Sequence, residues 1–136
     1  MKQRFYPILL VIVTVTLTAA CKTFEVQNVN YKHEIESVLI PESDGTVSDN
    51  RHGLTFNILP FQFQETGDTT SVEVDKVRLI RNKEGFYFIT ATGFRNVYIM
   101  EPKKSGLKLK NKIEITDEGL IDPAFNMRDP FVQLID

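Results

Sequence analysis

The sequence predicts an all-β domain: a small antiparallel β-sandwich of about six or seven strands, immunoglobulin-like or transthyretin-like, with a small closed β-barrel as the alternative. Three observations carry this. Runs rich in Val, Ile, Phe, Tyr and Thr recur over 54–64, 71–81, 86–91, 96–101 and 107–115. All seven glycines and nine of the ten phenylalanines lie beyond residue 20, so turns separate aromatic strands. No long segment holds the apolar period of a helix.

The chain opens differently. Met1-Lys2-Gln3-Arg4 is a short basic start, Ile8 to Leu17 is apolar except for Thr14 and Thr16, and Thr18-Ala19-Ala20 are small. A ten-residue run rises about 15 Å as a helix, half of a hydrocarbon core of about 30 Å. Basic start, short apolar run and small residues are the three elements of a secretory signal. Thr18-Ala19-Ala20-Cys21 resembles the lipobox of bacterial lipoproteins, whose usual Leu three places before the cysteine is here Thr18. The resemblance implies cleavage between Ala20 and Cys21, a diacylglycerol on the Cys21 thiol and a fatty acyl chain such as palmitate on the new amino group. Two or three acyl chains exceed the marginal anchoring of one, so such attachment is stable. An ordinary signal peptide cut after Ala20 and an uncleaved anchor fit the same residues. Lys22 follows the cysteine where Asp would retain the protein at the inner membrane. By resemblance this implies the outer membrane, facing the periplasm.

Residues 1–20 are thus read as signal peptide, 21–30 as a lipidated tether and 31–136 as one β domain. Removing Lys2 and Arg4 leaves 14 basic residues against 18 acidic ones, so the charge moves from −2 to −4. That balance argues against a general nucleic-acid binder. One cysteine excludes an intrachain disulfide, and one cysteine with two histidines leaves little for a metal cage.

Within the domain, residues 31–40 fit either a helix stopped by Pro41 or a strand, and Val38-Leu39-Ile40 favours the strand. Leu54 to Gln64 alternates, with Phe56 and Ile58 on one face and Phe61 and Phe63 on the other. The change at Leu59-Pro60 reads as a bulge or edge kink. Ser71 to Arg81 slips in the same way at Asp75-Lys76. Asn82-Lys83-Glu84-Gly85 is a hairpin turn. Phe86 to Ala91 and Asn96 to Glu101 are apolar on both faces, as buried central strands are. After a turn at Pro102 to Gly106, the segment 107–115 points Leu107, Leu109, Ile113 and Ile115 inward and Lys108, Lys110, Lys112 and Glu114 outward. Asp117 to Pro130 is mostly loop, and Phe131 to Ile135 is a closing strand.

No catalytic set assembles, and the chain is read as a non-enzyme without cofactor. The cysteine is assigned to lipid, and His33 and His52 lie in different elements with no G-x-S-x-G nearby. The oxygen-rich loop 41–50 lacks EF-hand spacing, so a solvated turn is favoured over a Ca²⁺ site. Lys103, Lys104, Lys108, Lys110 and Lys112 put five charges within ten residues. They form a candidate surface for an anionic partner, although lysines on an edge strand also discourage sheet-to-sheet pairing. Phe61, Phe63, Phe86, Tyr87, Phe88, Phe94 and Tyr98 either line a pocket or fill the core, and core is favoured. The function expected is a membrane-anchored accessory or structural module that binds another envelope component, an envelope protein first. The alternative is a lipid- or glycan-binding module with an aromatic pocket.

Overall fold

The computed structural model describes residues 35–136. Ala20, Cys21, the signal segment, the tether and His33 lie outside the described residues. Among those described, nine strands and one helix follow one another. They are β1 (Ser37–Leu39), β2 (Thr46–Asp49), β3 (Leu54–Asn57), α1 (Leu59–Thr66), β4 (Val77–Arg81), β5 (Tyr87–Ala91), β6 (Asn96–Lys103), β7 (Gly106–Glu114), β8 (Ala124–Arg128) and β9 (Phe131–Ile135). Residues 37–39 are strand, as the dense apolar run predicts.

A five-stranded antiparallel sheet, ordered β1-β4-β5-β6-β7, forms the centre. Its edges β1 and β7 do not pair with each other, so the sheet is open and no barrel closes. Successive side chains on a strand point to opposite faces, which lets two layers pack on this sheet. On the first face Val77, Leu79, Ile89, Ala91, Tyr98 and Met100 meet Val47 and Phe56 of the β2–β3 hairpin together with Ile58 and Phe61. On the second face Ile80, Phe88 and Val97 meet Phe125, Met127, Val132 and Leu134 of the β8–β9 hairpin. The result is an all-β antiparallel sandwich whose central strands are covered on both sides. This double cover is why 86–91 and 96–101 read as apolar on both faces.

The turn at 82–85 forms as expected. Gly85 adopts φ 93°, its N–H donates to the Asn82 carbonyl, and the Phe86 N–H donates to Asn82 Oδ1 at 2.9 Å. Three other expectations are corrected. The strand read through Leu54–Gln64 ends at Asn57, and Leu59–Thr66 is a helix. Asn57 Oδ1 accepts the Leu59 N–H at 2.8 Å, Pro60 occupies the first turn where its missing donor is no loss, and Gly67 closes the helix in the left-handed region. Residues 71–76 are irregular rather than strand, although Val72 and Val74 still pack on the first-face core. The tail holds β8 as well as the expected closing strand, and the Asp129–Pro130 peptide between them is cis.

Candidate functional site

Between β3, α1 and the β6–β7 edge lies an open apolar groove of about 400 Å³. Phe56, Phe61 and Tyr98 supply its aromatic lining, and Met100, Leu107 and Leu109 its aliphatic lining. The rings interlock edge to face: Phe56–Phe61 centroids lie 6.0 Å apart, and Phe61–Tyr98 5.0 Å. Asn57 and Gln64 are the polar groups at the groove. Asn57 is already committed, donating to the Asp44 carbonyl and accepting from Leu59. Of the seven aromatic residues singled out, Tyr87, Phe94 and Tyr98 are buried in the core, Phe63 is exposed, and Phe86 and Phe88 are half-buried. Only Phe61 and Tyr98 of the seven line the groove.

A buried carboxylate holds the groove's floor. Glu65 on α1 is 1% exposed as a side chain. Its Oε1 accepts from the Tyr98 hydroxyl at 2.7 Å and from Asn96 Nδ2 at 2.9 Å, and its Oε2 accepts the Arg95 N–H at 2.8 Å. The Arg95 guanidinium adds charge, with Nε 3.6 Å from Oε2 and Nη2 donating to the Glu65 carbonyl. Burial pushes the Tyr98 hydroxyl far above its ordinary value of 10.0, and the hydrogen bond to Glu65 pushes it further. Every oxygen here is engaged in positioning α1 against β6. Glu65 thus ties Tyr98, Asn96 and the Arg95 backbone to the helix.

The lysines do not form one face. β7 pairs with β6 through a bulge, Ile99 opposing Asn111 while Met100 opposes Leu109, which leaves Lys110 as the extra residue. The bulge reverses the alternation. Leu107 and Leu109 lie on the first face with Tyr98 and Met100, whereas Ile113 lies opposite Val97 on the second. The reading that put Leu107, Leu109, Ile113 and Ile115 on one inward face is thereby corrected. Lys108 opposes Glu101 on the second face, and Lys112 opposes Tyr98 on the first. Lys103 Nζ pairs with Glu101 Oε2 at 2.9 Å, and Lys110 Nζ lies 3.5 Å from the Phe86 ring centroid. The Lys103 hydrogen bond holds the Glu101 carboxyl below its ordinary value against the opposing effect of desolvation, and the charges of Lys103, Lys110 and Lys108 lower it further. Lys104 sits in the exposed turn. Lys112 makes no ion pair among the described residues.

The histidine is tied to a buried acid. His52 Nδ1 lies 2.6 Å from Asp49 Oδ2, and Asp49 is 3% exposed. Burial pushes the Asp49 carboxyl up, but the hydrogen bonds of His52 and Ser37, the His52 charge and the Arg51 N–H together hold it below its ordinary value. A nucleophilic triad needs the serine on the histidine's other nitrogen. Ser37 bonds the aspartate instead, so this cluster fastens β1 to the β2–β3 turn. Asp44 in the oxygen-rich loop accepts the Thr46 N–H at 2.9 Å, which makes it a turn residue. Among the described residues no three His, Cys, Asp or Glu side chains gather closely enough to hold a metal ion.

Sequence reasoning singled out neither Glu65 nor Asp49, the two buried acids. Their only sequence signals are Asn, Arg and Tyr at 95–98 and a histidine three residues after an aspartate, patterns that surface loops share. Compared with protein-family models, curated proteins and solved structures, the chain matches none of them.

Proposed function

We propose that this protein is a non-enzymatic module, held at the bacterial cell envelope by lipid on Cys21, that binds another envelope component through its groove-bearing face. The observation that carries the reading is the open groove itself. A sandwich that served only to fill space would cover Leu107 and Leu109, and here Leu109, in the groove's lining, is 49% exposed. The lipobox resemblance at Thr18-Ala19-Ala20-Cys21 supports the anchor, and among the described helices none is long and apolar enough to cross a membrane.

Photo-crosslinking from the groove tests the reading. A photoreactive residue in place of Leu109 should yield one discrete adduct with an envelope component, and the same residue in place of Gln133 on β9 should not. Equal, diffuse labelling from both positions would refute it.

A second reading, a lipid- or glycan-binding module, is favoured by the groove's composition, and the lipid form fits it better. Sugars need many hydrogen-bonding groups beside an open ring face. This groove offers chiefly Gln64, since Asn57 is committed and the Tyr98 hydroxyl is held by Glu65.

A further inference from the structure

We propose that the groove takes the alkyl chain of a free long-chain fatty acid, with its carboxylate at Lys112. The inference rests on the lipid reading of the groove and adds the chemical class of the ligand. The cross-strand register supplies the geometry. Along the first face of β7 the side chains run Leu107, Leu109 and then, past the bulge at Lys110, Lys112. The last two of these have groove-lining partners on β6: Leu109 opposes Met100, and Lys112 opposes Tyr98. An apolar row therefore leads to a cation, Lys112, on the same face as the groove, with Glu114 next along it at the far end of the strand. Without the bulge that position would belong to Asn111, and the row would end without a charge.

Lys112 is also the lysine left for such a role on this face. Lys103 is paired with Glu101 and Lys110 lies over Phe86, both through second-face contacts, while Lys112 has no acidic partner among the described residues. A lysine ammonium is a compact point charge suited to one carboxylate. The volume of about 400 Å³ stands near the lower end of small-molecule sites, about 300–1,000 Å³, which matches one chain rather than the two of a diacyl lipid. The lining is aliphatic and edge-on aromatic, so it gains by removing methylenes from water and asks for no hydrogen bonds along the chain.

The test uses the full chain carrying Cys21→Ser, so that no attached acyl group competes. Binding of palmitate labelled with ¹³C at its carboxyl is followed by NMR, beside hexadecanol and vesicles of phosphatidylglycerol. The expected result is a 1:1 palmitate complex, with hexadecanol bound at least about tenfold more weakly. Lys112→Glu should weaken palmitate about tenfold and leave hexadecanol unchanged. Leu109→Glu should abolish both, and circular dichroism should show both variants folded, since each side chain is exposed. Equal binding of palmitate and hexadecanol would overturn the carboxylate assignment alone. No binding of either alkyl compound would overturn the lipid reading with it. Binding to vesicles without any palmitate complex would overturn the free-acid proposal in favour of a membrane surface.

Discussion

At the scale of single residues, two buried carboxylates set the chemistry of the domain, and both act as fasteners. Glu65 accepts from Tyr98, Asn96 and the Arg95 backbone, so Glu65→Ala leaves a tyrosine hydroxyl and an amide unpaired in the interior. Unsatisfied buried groups cost about 1–3 kcal/mol each, and the expected loss is about 3 kcal/mol by urea denaturation, with Glu65→Gln losing less. The raised Tyr98 value has a definite sign. Above its ordinary 10.0 the unfolded chain releases a proton that the folded chain keeps, so stability is full below that pH and falls as pH rises through it. Tyr98→Phe should flatten the alkaline limb of a stability–pH curve; a limb as steep as that of the unaltered protein would exclude Tyr98 as its source. Asp49 has the opposite sign. Its depressed value means stability present above the ordinary 3.8 and lost as pH falls below it, and Asp49→Asn should remove that share of the acid loss in a denaturation series.

Elements show where local pattern and tertiary packing diverge. Helix α1 and its N-cap turn Ile58, Phe61, Gln62 and Glu65 inward, a helical spacing in which two of the four positions are polar. Hydrophobic periodicity cannot register such a face, and the alternation of Phe56, Ile58, Phe61 and Phe63 imitates a kinked strand. Gln62 is satisfied in its buried place, donating to the Asp68 and Ser71 carbonyls and accepting the Glu73 N–H. Gln62→Leu should therefore cost about 2 kcal/mol and loosen 67–73, measured by hydrogen exchange, whereas Pro60→Ala should stay within about 0.5 kcal/mol. Strands β5 and β6 were legible because both of their faces are buried and both are apolar. β7 was legible as a strand but not in its facing, because one extra residue at Lys110 flips everything after it. The lysines that alternation gathered onto one surface are divided by that bulge. β8 escaped notice between two Asp-Pro steps, although Phe125 and Met127 alternate inward against Ile80 and Val97.

For the whole molecule, the expected behaviour combines an address at the start of the chain with a binding domain behind it. Cys21→Ser in the full chain should abolish labelling by radioactive palmitate and release the protein from the membrane fraction; persistent labelling would exclude the lipobox reading. Residues close together in the chain sufficed for the all-β class, the turn at 82–85 and the two-sided central strands. Tertiary structure alone decided the helix within an apparent strand, the burial of Glu65 and Asp49, the bulge that aims Lys112, and the groove. Most of these join groups many residues apart, as Glu65 joins Arg95 and Tyr98. The free energy of such a contact comes from partners that no local window contains.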